Sequence, residues 1–259
     1  MPRRKYKDIG IDDSVFQERV VKLARKFKVD EKQFIKDQSR LLARDAARFT
    51  PPFAQFPDWH KGRHVGTKAD LEMGEYAVDW DLRRIFAPIS DKKAWDEFRK
   101  SKGGPVYRYN TIKAPGVITD AFKMHQWHRD HKRRDGRTKK IKNRNGIPWV
   151  PESLFYEYVK SQQASVGMAK ASFLKASMAF GGKSSATPKI KRHLARTSGS
   201  GNLVKTGKGY DGHIRASAEG LYHLIRLLPH LRRNRTKKAE KRLEILAKKA
   251  VKSSGFKTR

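Results

Sequence analysis

An α+β chain is what this sequence predicts: several amphipathic helices, one of them long (about 152–180), a small antiparallel sheet and long basic loops. Three observations predict it. Apolar residues recur at helical spacing in several separate windows. One segment, NLVKTGKGYDGHIRASAEG, looks like two short strands around a Gly-rich turn, with Asp211 and Gly212 at a bend. Between these lie stretches of Lys and Arg that carry no apolar period.

The first helix is read in IDDSVFQERVVKLARKFKV, with Asp12 and Asp13 as caps and Phe16, Val20, Leu23 and Phe27 on one face. A second follows from Asp30, which caps it. It places Ile35, Leu42, Ala46 and Phe49 on one face and stops at Pro51 and Pro52. Together they make an N-terminal helical region over about 11–50. From Phe53 to Gly74 the period is lost, and the aromatics Phe53, Phe56 and Trp59 imply an ordered loop. AVDWDLRRIFAPI reads as a short strand or irregular segment, SDKKAWDEFRKS as a short helix capped by Ser90, and KGGPVYRYNTIKAPG as extended.

The long helix is read in PESLFYEYVKSQQASVGMAKASFLKASMAFGG. Pro151 suits its first turn and Gly181 its C-terminal cap. Phe155, Val159, Gln162, Val166, Ala169, Phe173, Ala176 and Phe180 alternate steps of four and three, which draws one continuous seam. That seam is core of this chain or, failing that, a subunit interface. Gly167, Ala171 and Ser172 beside it would let another backbone come close. KSSATPKIKRHLARTSGSGN reads as a polar connector made flexible by Gly199, Ser200 and Gly201. The chain closes with YHLIRLLPHL and a basic helix over about 232–252, on which Ala239, Leu243, Leu246 and Ala250 form a narrow stripe. No repeat and no sharp composition boundary divides the chain, so one domain over 1–259 is expected.

Charge dominates the question of function. The chain has 60 Lys and Arg against 26 Asp and Glu, a net +34, and only 37% of its 259 residues are hydrophobic. A compact fold with that charge repels itself unless a polyanion or an acidic partner neutralises it. The charge is spread along the chain, which points to a protein embedded in an assembly. Cysteine is absent, excluding disulfides, thiolate metal sites and thiol catalysis. No window offers about 18 apolar residues without charges, so no membrane partner is expected, and the chain is expected to be intracellular when made, with no route of its own to the envelope.

The densest basic stretch, Lys123 to Gly146, holds ten basic residues against Asp130 and Asp135, a net +8. Arg129, Lys132, Arg133, Arg134, Arg137, Lys139, Lys140, Lys142 and Arg144 are the candidate phosphate contacts, with Gly136 and Gly146 letting the loop follow a backbone. Such contacts ignore base sequence and weaken steeply with salt. Docking on an acidic protein is the second reading, and a solvated loop the third.

Catalytic and metal chemistry find little footing. His125, His128 and His131 stand at steps of three, but no carboxylate completes a shell and the flanking cations would repel a divalent ion. His60 and His64 have Gly62 between them, which argues against a helix that would pair them. Asp79 and Asp81 would share one face of a strand, yet Arg83 and Arg84 follow directly and neutralise them. No Walker loop, dinucleotide fingerprint or nucleophile elbow is present. The expectation is no enzyme, no metal and no cofactor; a nuclease ranks third among the functions considered.

Three pieces of the sequence resemble the structural proteins of tailed bacteriophages that join head to tail or complete the tail. RLLARDAARFTPP resembles the N-terminal helix of that group, in which an Ala- and Arg-rich turn runs into a Pro break. YVKSQQASVGMAKASFLKASMAFGG resembles the segment with Val-Gly and a Lys-Ala-x-aromatic element, and PKIKRHLA the Pro-led basic motif after it. The resemblance covers 40–52 and 159–195 best; Phe173 stands where the group has Trp, Lys189 where it has an aromatic, and 123–146 looks like a variable insertion. It implies an α+β protomer in a ring with copies of itself at the neck or tail end of the virion. Its neighbours would be connector, capsid or tail proteins and packaged DNA. No reaction is implied. The runner-up is a ribosome-like or chromosomal protein that binds nucleic acid without regard to sequence.

Overall fold

The computed structural model describes residues 9–11, 30–58, 65–89, 117–131, 147–183, 186–207, 209–216 and 222–253. The helix expected over 12–27, Trp59, His60, His64, the helix expected from Ser90 and the extended stretch at 102–116 lie outside them. The fold class is α+β, as expected, and the chain divides into two compact units. The first comprises Met1–Asp70 and Gly167–Arg259; the second, Leu71–Val166, is inserted between its two parts.

In the first unit, helix α1 (Glu31–Phe49) starts where Asp30 accepts a hydrogen bond from the Gln33 amide at 3.1 Å. It ends at Thr50, whose hydroxyl donates to the Ala46 carbonyl at 2.6 Å before the Pro51-Pro52 break. Its predicted face is buried: Ile35, Leu42, Ala46 and Phe49 are all interior. The helix expected over 152–180 is interrupted at Gly167, which sits at φ 91° in the left-handed region that a side chain strains to adopt. Two helices replace it, α4 (Glu152–Gln163) in the second unit and α5 (Met168–Ala179) in the first. The seam residues therefore serve two separate interiors.

Helix α5 is buried nearly all round, from Ala169 through Ser177, with α1, helix α6 (Pro188–Arg196) and the sheet packed against it. The segment read as a flexible connector is thus helix α6, with Ile190 and His193 buried, followed by a tight contact. A Cβ on Gly199 would fall 1.9 Å from the Ser172 carbonyl oxygen, so this glycine brings two backbones together as Ser172 promised.

The sheet of this unit is antiparallel, in the order β1 (Ile9–Ile11), β5 (Gly209–Ala216), β4 (Ser200–Thr206). Strand β1 pairs Ile9 with Ala216. Strands β4 and β5 form a hairpin closing at Thr206 and Gly209; Asp211 and Gly212, expected at a bend, lie inside β5 opposite Val204 and Leu203. Along β5 burial alternates, with Gly212, Ile214 and Ala216 inward. Helix α7 (Tyr222–Ser253) runs unbroken through Pro229, so the basic helix expected from 232 is the greater part of a longer one. Its Ala239 and Leu243 pack on Phe34 and Ile35, with Leu203 and Tyr210 at the margin.

The second unit contains most of helix α2 (Lys68–Arg83), together with strands β2 (Ala87–Ile89) and β3 (Trp149–Pro151) and helices α3 (Ala121–His131) and α4. Strands β2 and β3 are parallel, pairing Ala87 with Trp149. The core joins Leu82, Ile85 and Phe86 to Met124, Val150, Phe155, Tyr158 and Val159. The end of the stretch read as a loop to Gly74 and the first part of the segment read as a short strand or irregular, residues 68–83, are helix α2, while a short strand does form at that segment's end, in β2. Thr67 and Asp70 start that helix reciprocally, the Asp70 amide donating to the Thr67 hydroxyl at 3.2 Å and the Thr67 amide to the Asp70 carboxylate at 3.0 Å.

Candidate functional site

Of the predicted basic contacts only Arg129 is described. It stands in the last turn of α3, exposed, with its guanidinium 3.5 Å from the Asp130 carboxylate. Lys132, Arg133, Arg134, Arg137, Lys139, Lys140, Lys142 and Arg144 lie outside the described residues.

The three histidines of α3 do share a side of the helix, and the structure gives them a different task from holding a metal. The Nδ1 atoms of His125 and His128 lie 2.9 and 3.0 Å from the single hydroxyl of Tyr158. His131 turns away, donating from Nδ1 to the Trp127 carbonyl at 2.8 Å and stacking on the Trp127 ring at 4.2 Å. Among the described residues no group of three or more His, Asp or Glu side chains is placed to share a metal ion.

The seam residues are interior. Phe155 and Val159 belong to the core of the second unit. Val166, Phe173 and Phe180 are also buried within the single chain.

Asp79 and Asp81 are on a helix, two positions apart, and so on different sides of it. Asp79 accepts from Arg83 at 2.8 Å, one helical turn on. That bond, first among its causes, holds the Arg83 pKa above its usual value. The Arg83 guanidinium lies 5.2 Å over the Phe155 ring and donates to the Tyr156 hydroxyl at 3.3 Å. The Asp79 carboxylate is thereby neutralised, as the sequence reading held.

Two features escaped the sequence. Lys170 is 1% exposed inside the first unit, its Nζ 3.4 and 3.3 Å from the carbonyls of Ala47 and Arg48 at the C-terminal end of α1. A helix C-terminus favours a cation. Burial nevertheless pulls the amine down to about 8, against a smaller opposing pull from Asp70. Such a shifted lysine marks a candidate nucleophile only where a substrate reaches it, and this amine is enclosed.

The second feature is the outer face of α2. Met73 (45% exposed), Tyr76 (61%) and Trp80 (55%) stand at steps of three and four, and the Tyr76 and Trp80 rings stack at 6.4 Å. Glu72 and Asp79 lie beside this strip. Over Lys68–Arg83 five carboxylates face two cations, so a chain of net +34 has here a segment of net −3. The capping pattern Thr67-Lys68-Ala69-Asp70 was the available signal.

No described helix is long and apolar enough to cross a membrane. Compared with protein-family models, curated proteins and solved structures, the chain matches none.

Proposed function

We propose that this chain is a structural component of a tailed-phage virion, joining head to tail or completing the tail as one subunit of a ring. The observation that carries this reading is where the resembling segments fall. RLLARDAARFTPP lies more than a hundred positions before the α5 sequence and PKIKRHLA, yet α1 packs on α5 and α5 on α6. Apart from the stretch to Val166, which belongs to the second unit, the resembling pieces form one packed framework, which is what a shared fold leaves behind when the surface has changed. The reading assigns no reaction, and the basic stretch around Arg129 faces packaged DNA or acidic neighbouring subunits.

Charge supports a second reading, sequence-independent binding of nucleic acid, since +34 is favourable beside any polyanion. The two separate in one measurement. Quantitative mass spectrometry of purified, nuclease-treated particles from a culture carrying the gene is expected to find the chain at a fixed ratio to the major capsid protein. Absence from the particles would overturn the virion reading and leave salt-dependent nucleic-acid binding. A variant with Arg133, Arg134, Lys139 and Lys140 replaced by Ser is expected to stay folded while assembling less well or retaining less DNA. Loss of folded protein on that change would make the stretch structural.

A further inference from the structure

The outer face of α2 exposes three large side chains in a row, and in a soluble chain such a contiguous strip marks a contact site. The neighbouring carboxylates decide what it contacts. Stacking on nucleic-acid bases would bring phosphates against a helix of net −3 with Glu72 exposed on it, which repels them. An acidic or neutral protein gains nothing from those groups. The face fits a basic surface with an apolar centre.

This chain carries such a surface. On α7, Ile245 is 48% exposed, and Lys241, Lys248 and Lys249 stand four before, three after and four after it, all exposed. Helical steps of three and four place these four residues together. Over 237–249 six cations face two carboxylates. One face has apolar side chains edged by negative charge, the other an apolar side chain edged by positive charge.

We infer that the Met73, Tyr76 and Trp80 face of α2 docks on the Lys241, Ile245 and Lys248 face of α7 in a second copy of the chain. The inference rests on the ring reading above and supplies its interface. The two faces differ, so the contact is heterologous: each copy offers one to the neighbour before it and the other to the neighbour after it. Heterologous contacts close into rings or run on as filaments, whereas a self-complementary contact stops at a dimer. Aromatic residues at the centre of such an interface carry most of its affinity, and the charges set its register and salt dependence.

The test uses the full chain and two variants, Tyr76→Ala with Trp80→Ala, and Lys241→Glu with Lys248→Glu, followed by mass photometry and sedimentation. The wild type is expected to form rings or filaments at low salt and to dissociate as salt is raised. Each variant alone is expected to be monomeric. Mixed, they are expected to give dimers and nothing larger, because each supplies the one intact face the other needs. Trp80→Ala is expected to weaken association about thirtyfold with the salt dependence kept. Far-ultraviolet circular dichroism shows whether each variant is folded, and dimers in the mixture would themselves require it.

Association of the wild type that neither double variant alters would overturn this interface and leave the ring reading standing. A wild type that stays monomeric while particles contain it at fixed ratio would also overturn self-docking, and point the face toward another basic virion protein. Assembly as described by a chain absent from particles would uphold the interface and sink the virion reading alone.

Discussion

The two units solve the problem of an interior differently. Among the described residues every buried polar or charged side chain, from Gln38 and Asp45 to Lys170, Ser177 and Arg235, belongs to the first unit. The second unit fills its core with Leu82, Ile85, Phe86, Met124, Val150, Phe155 and Val159, and admits one hydroxyl, that of Tyr158. A polar interior holds its partners only in matched geometry, so it specifies a single arrangement of helices. An apolar core is more forgiving of shape and leaves specificity to the surface. The difference teaches where to look for function: the first unit reads as framework, and the second carries the acidic aromatic face and the described end of the basic stretch.

The largest effects should break this contrast from either side. In the first unit Arg235 donates to Asp45 at 2.6 Å with both side chains buried. Asp45→Ala strands a buried guanidinium and is expected to destabilise by about 3–5 kcal/mol, whereas Asp45→Leu combined with Arg235→Met is expected to recover most of that. In the second unit Phe155→Ala empties the centre of the core, also for about 3–5 kcal/mol, and no partner substitution restores it. Hydrogen exchange with mass spectrometry checks both. Loss of protection should concentrate in α1 and α7 for the first change and in α3 and α4 for the second. Equal loss everywhere would show that the units unfold as one.

A smaller effect sharpens the contrast through pH. The Lys170 amine binds its proton up to about 8 in the folded chain and up to its usual 10.5 when unfolded. Between those values the unfolded chain holds more protons, so stability must rise with pH across that window, by about 3 kcal/mol in all. Below it both forms are protonated and the term is constant. Urea unfolding at intervals from pH 7.5 to about 10.5 measures the slope, and the difference between wild type and Lys170→Met isolates this amine from the other lysines. A difference flat with pH would mean that the amine keeps an ordinary affinity for its proton.

How much of this was legible follows from which interactions are local. Helix α1 was readable because Asp30, the Ile35 to Phe49 spacing and Pro51 are signals within one segment. The break at Gly167 was not, because steps of four and three pass straight through it. Only the backbone sign at that glycine reveals it, and periodicity is blind to φ. Strand β1 escaped because three residues at the N-terminal end gain their structure from Ala216, Arg215 and Ile214, some two hundred positions away. Helix α2 was hidden by Gly74 and by the loss of period ahead of it, although Thr67 and Asp70 marked its start. The acidic aromatic face went with it, since a face exists only once a helix does. For the histidines the sequence placed all three on one side, yet it carried no hint that Tyr158, about thirty positions on, would stand between two of them.

That hydroxyl carries the smallest predicted effect and the sharpest question about the second unit. A phenol has one proton to donate and lone pairs to accept with, so with two Nδ1 atoms at 2.9 and 3.0 Å it either donates to one imidazole while accepting from the other, or accepts from both. In the first arrangement the two rings differ at Nδ1, and in both the oxygen ties α3 to α4. Tyr158→Phe keeps the ring, its edge contacts with Phe86 and the core volume, and removes only the oxygen. The expected cost is about 1–2 kcal/mol, well below that of Phe155→Ala, because water can reach the half-buried imidazoles and replace part of what is lost. Nitrogen-15 spectra of the two histidines should show one protonated and one unprotonated Nδ1 in the wild type for the first arrangement, or two protonated for the second, and that pattern lost in Tyr158→Phe. The same Nδ1 states in Tyr158→Phe as in the wild type would mean that the hydroxyl does not set them. The polar element in the second unit's core would then be a passive neighbour of the fold instead of part of what sets it.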